Sequence, residues 1–235
     1  MKNTIKVIIF MLSLFIASCS MNDRVANAYK EKEKLIAGKT QAKGINRKSP
    51  VFFRAFKTEK ILELWMQSGS GWALYDSYPI CKVPGLPGPK KKEGDNQVPE
   101  GVYFINRFNP ASSFHLSLGL NYPNEFDRQV ADKAQPGSDI FIHGSCVSVG
   151  CIPVTNDKIR EIYILAMEAK EGGQDSIPVH IFPFRMTKEN MHSASADYPN
   201  HVAFWNQLTP IYEHFEKSNT IPRLAITGEG YRILP

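Results

Sequence analysis

The chain has 235 residues, 43% hydrophobic and 22% charged, which is enough for one well-buried domain with appendages and argues against disorder throughout. Its formal net charge is +5, and two of the positives, Lys2 and Lys6, sit at the extreme N-terminus. The roughly +3 that remains is too mild for nucleic-acid binding, and no basic stripe or base-stacking motif accompanies it.

MKNTIK is a short basic segment and VIIFMLSLFIA a short apolar one, too short for a transmembrane helix. The apolar run ends Ile16-Ala17-Ser18-Cys19, which resembles a bacterial lipobox. Residues 1–19 are therefore expected to be a lipoprotein signal peptide, with Cys19 the lipidated residue and a membrane anchor. The alternative is an ordinary cleaved signal peptide in which Cys19 is incidental. Ser20, not Asp, follows Cys19, which by resemblance favours an outer-membrane anchor facing the periplasm. Residues 20–48 are polar and charged. Their centre is able to form a short helix but has no convincing apolar face, so the segment reads as a tether.

The globular part begins near Pro50. Val51–Phe56 and Lys60–Gln67 have strand composition, Ser68-Gly69-Ser70-Gly71 supplies a turn, and Trp72–Ile80 resumes the strand pattern. PGLPGPKKKEGDNQVPEG is a surface loop by its Pro and Gly content. Gly101–Ile105, Phe114–Leu120 and Ser138–His143 are further strands. Asn156–Lys170 has helical spacing, with Thr155 as N-cap and Gly172-Gly173 as terminator. Val179–Phe184 is a strand, and 199–217 a helix with Phe204, Leu208, Ile211, Tyr212 and Phe215 on one side. The Phe204 and Trp205 cluster reads as packing core. The fold class expected is β-rich α+β with helices outside the sheet.

The chemistry concentrates in FIHGSCVSVGCI, residues 141–152. A strand delivers His143, a loop of small residues follows, and Gly150-Cys151 closes it shortly before a helix. A thiol is a weak nucleophile until it loses its proton, and a neighbouring imidazole can take that proton and stabilise the thiolate. Gly150 lets a carbonyl approach the backbone, and N–H groups near Cys151 face the oxyanion that forms on attack. The following helix adds positive dipole near the sulfur.

His143-Gly144 followed by Ser148-x-Gly150-Cys151 resembles the signature of the YkuD-type L,D-transpeptidase catalytic domain. GPKKKEGDNQVPEGVYFI, FHLSLGLNYPNEFD, IHGSCVSVGCIPVTN and HVAFWNQLTPIYEHFE resemble its YafK-like branch, and the likeness runs from about residue 50 to 232. The resemblance implies a YkuD-like mixed β-sandwich with peripheral helices over residues 49–185, and a helical C-terminal extension, 186–235, packed on it. It implies Cys151 as nucleophile and His143 as catalytic base. Gly150, Ser148, Gly144 and Ile152 are oxyanion or supporting positions, and His115 and Lys90 are candidates for the cleft. The substrate class implied is the peptidoglycan stem peptide, attacked at the L-centre of diaminopimelate, with no cofactor and no metal. Two departures stand out. The interval from His143 to Cys151 is short, and Pro153 occupies a position where the wider family usually carries Arg or Asn.

The motif leaves three outcomes open: transfer to an acceptor amine, hydrolysis that trims stem peptides or frees a peptidoglycan-linked lipoprotein, and non-catalytic binding to the wall by a lipid-anchored protein. Cys146 has several readings: a ligand with His143 and Cys151, a redox partner of Cys151, a free thiol, or a disulfide partner of Cys81. The disulfide is favoured, because the envelope is oxidising. It closes a loop of about 65 residues, worth roughly 4 kcal/mol in the chain-entropy picture, and leaves Cys151 reduced. The Lys90-Lys91-Lys92 run is otherwise a solvated loop.

Overall fold

Strand β1 (Val51–Phe56) is buried at all six positions because both of its faces are covered. The computed structural model describes residues 23–235, so Cys19 and the lipobox lie outside the described residues. The other strands of the main sheet are β2 (Ile61–Ser68), β3 (Gly71–Pro79), β4 (Gly101–Asn109), β5 (Ser117–Leu120), β6 (Phe141–His143), β7 (Ile152–Pro153) and β8 (Ile177–Phe182). They form one mixed, curled sheet in the order β3-β2-β1-β8-β4-β5-β6-β7. β1 runs parallel to β8, and β6 parallel to β7. A separate ribbon pairs β9 (Leu224–Thr227) with β10 (Gly230–Ile233). The helices are α1 (residues 23–42), α2 (Glu125–Val130), α3 (Asn156–Glu171), α4 (Lys188–Asp197) and α5 (Val202–Ser218). The β-rich α+β class, with peripheral helices, is what the chain adopts.

Alternation along β1 feeds two cores. Val51, Phe53 and Ala55 join the cluster that holds Ile159, Ile162 and Leu165 of α3. Phe56 joins Trp205, Leu208 and Tyr212 of α5 on the opposite face, where Phe52 also meets Phe215 edge-on. The C-terminal residues are thus fastened to the sheet by a core of their own.

Over residues 23–48 the tether reading does not survive. Residues 23–42 are helical, and α1 buries Ala28, Lys32, Ile36 and Thr40, a stripe spaced by four. Two of these four are polar, which is why no apolar face showed in the sequence. Lys32 pairs with Asp157, and Lys39 reaches Asp76 at 2.5 Å and the buried Glu161 at 2.7 Å. Arg47 then bridges Glu33 and Glu168, both at 2.6 Å. The segment is bound to α3 and β3 as part of the folded unit.

On the other face a buried polar network fixes the long loop between β3 and β4. Glu100 Oε1 accepts from Lys57 Nζ at 2.8 Å and from the Gly88 N–H at 2.6 Å, and Oε2 accepts from Trp205 Nε1 at 2.9 Å. The same lysine donates to the carbonyls of Gly88 and Val98. Through these contacts α5 sets the position of a loop that walls the candidate site.

Candidate active site

β6 ends at His143, which pairs with Ser117 of β5 on one side and Pro153 of β7 on the other. Parallel neighbours usually need a crossover of a dozen residues or more. Here residues 144–151 make the return, so the loop has to be pinned. Cys146 is bonded to Cys81, Cα to Cα 5.2 Å. The Ser145 N–H donates to Asn156 Oδ1 at 2.8 Å. Ser148 Oγ donates to the Cys151 carbonyl at 2.8 Å and accepts from the Gly150 N–H at 3.1 Å. Gly150 has φ +148°, and a Cβ there would stand 3.0 Å from the Gln97 carbonyl. Chain direction and room both demand glycine.

His143 is buried, with Nδ1 2.5 Å from the Gly144 carbonyl. A carbonyl only accepts, so Nδ1 carries the hydrogen and Nε2 keeps the lone pair. Burial lowers the imidazole pKa below its ordinary 6.5, with the Gly144 contact opposing. Cys151 is the free cysteine among the described residues. Its Sγ donates to the Asp139 carbonyl at 3.5 Å. Burial pushes the thiol pKa up; a hydrogen bond from the Phe141 backbone opposes, Asp139 adds to the rise, and Lys90 pulls it down. The resting pair is therefore a neutral thiol beside a neutral imidazole, not the thiolate–imidazolium pair that the motif suggested.

Cys151 and His143 open onto one pocket of about 480 Å³ that also presents Arg107, Phe114, Ser117 and Asp139. A second pocket of about 210 Å³ meets the first at Cys151 and is walled by Lys90, Glu93, Ser138 and Gly150. Arg107 pairs with Asp139 at 2.7 Å and lies 4.7 Å over the Phe141 ring. Its guanidinium stays half exposed toward the larger pocket.

Several expected roles change. The Gly150 N–H is taken by Ser148 Oγ and is therefore not free to receive an oxyanion. Ile152 is a core residue of β7. Gly144 is a packing position, since a Cβ there would meet Asn156 Oδ1 at 2.6 Å and the Phe114 carbonyl at 2.9 Å. His115 is not among the residues lining either pocket. It sits at φ +75°, and its pKa is lowered by burial and then by Arg160 and Arg24, so it faces α3 and α1. Lys90 does line the smaller pocket, but its ammonium is held by Asp95 at 2.7 Å and is not a free cation at an entrance. β7 and Val154 separate Cys151 from the start of α3, so the helix does not begin at the sulfur. Bonded to Cys81, Cys146 is available neither as a metal ligand nor as a partner of Cys151. Arg107 and Asp139 lie in turn and strand-end text that carries no chemical motif, and sequence reasoning missed them.

Residues 54–181 match the model of the L,D-transpeptidase catalytic domain, YkuD. This chain belongs to that family. It is 39% identical over 185 residues to YafK of Escherichia coli (strain K12), whose own L,D-transpeptidase assignment is provisional; the match covers 78% of this chain and 73% of that protein. Among solved structures it is similar to the helical cell shape determining protein Pgp2 (K307A mutant) from Campylobacter jejuni, at 20% identity and TM-score 0.47, covering 69% of this chain and 59% of that one. Bd1075 from Bdellovibrio bacteriovorus gives 24% identity and TM-score 0.42, covering 68% and 58%. Likenesses this loose leave the family assignment resting on the sequence matches. An L,D-transpeptidase catalytic domain of the YafK-like branch is a peptidoglycan-related catalytic domain, and Cys151 and His143 fall inside the matched residues.

Proposed function

We propose that this L,D-transpeptidase-family protein is a cysteine acyltransferase that acts through a thioester on peptidoglycan stem peptides. The observation that carries the reading is the shared pocket of Cys151 and His143, with His143 Nδ1 engaged by Gly144 so that Nε2 is the free base. Nε2 takes the Cys151 proton as Sγ bonds to the carbonyl carbon at the L-centre of diaminopimelate. The oxyanion receives the Cys151 N–H. The C–N bond then breaks, the imidazolium returns its proton to the leaving amine, and a thioester remains on Cys151. An acceptor amine or water releases the acyl group and regenerates the thiol.

Hydrolysis shares every step up to the thioester. The smaller pocket, about 210 Å³, meets Cys151 and would admit the water that this branch needs. The substrates on that branch are trimmed stem peptides or a peptidoglycan-linked lipoprotein. Lipidation at Cys19 would hold the enzyme at the membrane, facing the periplasm; loss of palmitate labelling in Cys19→Ala tests that anchor.

Protein lacking residues 1–19 is incubated with muropeptides and with lipoprotein-linked sacculi, and the products are read by mass spectrometry. Cross-linked dimers between diaminopimelate residues mean transfer, and released lipoprotein or shortened stems mean hydrolysis. If wild type and Cys151→Ala give the same profile, the protein binds the wall without catalysis and the reading is wrong.

A further inference from the structure

The loop between β4 and β5 supplies one wall of the larger pocket. Ser112 and Phe114 line it, and the Phe114 ring lies 4.7 Å from the His143 imidazole at an interplanar angle of 31°. That loop is not regular structure, and its last residues are constrained. His115 is a non-glycine residue at φ +75°, a costly conformation that persists only where its surroundings hold it. On one side the loop is clamped by β6 and the residue after it: the Gly144 N–H donates to the Leu116 carbonyl at 3.2 Å, and Gly144 packs against the Phe114 carbonyl. On the other side lies Arg24, in the first turn of α1. Its Nη1 donates to the carbonyls of Ser112 at 2.7 Å and His115 at 2.9 Å, with Pro110 at 3.5 Å. One guanidinium thus gathers three carbonyls of a single turn, and Phe114 lies between two of them. Arg24 stands one further step of four before Ala28, Lys32, Ile36 and Thr40, but its side chain is exposed and lies outside that buried stripe.

We infer that Arg24 is a positioning residue for His143: by holding the carbonyls of Ser112 and His115 it seats Phe114 over the imidazole and keeps water from that face. The inference rests on the proposed role of His143 as the base. No side chain of the known motif lies near this contact in sequence, since Arg24 precedes His143 by more than a hundred residues.

The titratable and charged groups facing His143 from the pocket are Cys151, Asp139 and Arg107, and the last two are paired with each other. In the first turn of α3, Asp157 is taken by Lys32 and Lys158. Burial is the leading cause that depresses the imidazole, so removing its cover raises its midpoint toward that of a free imidazole.

The test uses the full chain in detergent micelles, with histidine labelled at Cε1 and the six histidines followed by NMR against pH. Arg24→Ala and Phe114→Ala are each expected to raise the His143 midpoint, the double variant no further than the larger single one, and Arg24→Lys by less than Arg24→Ala. The acid limb of turnover moves with it, so Arg24→Ala loses several-fold more rate at pH 6 than at pH 8. The buried residues of α1, Ala28, Lys32, Ile36 and Thr40, are untouched, so the thermal midpoint stays near that of wild type, a control that separates positioning from unfolding. An unchanged His143 midpoint in Arg24→Ala overturns the inference, whether or not Phe114→Ala shifts it. A protein that shows the shifts but turns over no muropeptide would leave the Arg24 contact standing and sink the proposed reaction instead.

Discussion

At the residue scale the chemistry turns on two groups that both rest uncharged. The His143 pKa is lowered by burial and the Cys151 pKa is raised by it, so the thiolate is scarce at neutral pH and proton transfer has to accompany attack. The imidazole acts as base only above its own pKa. Acyl transfer should therefore hold through pH 7 and fall only as pH drops below about 6.5, the ordinary imidazole value. Direct alkylation of Cys151 without substrate should instead keep rising above the ordinary thiol range. A pH–rate profile run beside an iodoacetamide profile checks this, and a thiol that alkylates fully at pH 6 would contradict the neutral pair. Gly150 is the second residue on which the site depends. Gly150→Ala forces a Cβ to within 3.0 Å of the Gln97 carbonyl at φ +148°. The expected cost is about 1–3 kcal/mol of stability, read by urea unfolding, with loss of turnover because the Cys151 carbonyl and N–H move with the loop.

At the element scale the return from β6 to β7 is held by a covalent pin, not by length. Replacing Cys81 and Cys146 with Ser removes a link across 65 residues and should lower stability by up to about 4 kcal/mol. Denaturant titration of the double variant against the oxidised wild type measures it, and equal midpoints would show that the loop holds itself. Much of this architecture was legible in the sequence. β1 has the expected ends, the Thr155 cap and Gly172 terminator bracket α3, and FIHGSCVSVGCI puts His143 at the end of a strand and Cys151 at the end of the loop that follows it. The failures have physical causes. α1 hid because half of its buried stripe is Lys32 and Thr40, whose burial depends on Asp157 and on a backbone carbonyl four residues back. α2 and the β9–β10 ribbon are short and gain their stability from α5 and the sheet, so they carry little pattern of their own. His115 was read onto a strand that begins only at Ser117. Arg107 and Asp139 meet only through tertiary pairing.

On the scale of the whole molecule, the site lies between two appendages that grip it from opposite faces. α1 reaches the β4–β5 loop through Arg24, and α5 reaches the β3–β4 loop through Trp205 and Glu100. Trp205→Phe would leave Glu100 Oε2 buried without a donor, at a cost of about 1–3 kcal/mol. It should also loosen the wall that carries Lys90 and Gln97. Hydrogen exchange at residues 85–98 should rise in this variant, while unchanged exchange would mean that Lys57 alone holds the loop. The central claim is that Cys151 becomes acylated, and intact-protein mass spectrometry tests it most directly. After brief incubation with a tetrapeptide muropeptide and acid quench, wild type should carry an adduct equal to the donor less its terminal D-alanine, mapped to Cys151. His143→Ala should carry far less and Cys151→Ala none; the same adduct on Cys151→Ala, or none on a wild type that still consumes the muropeptide, would contradict the account.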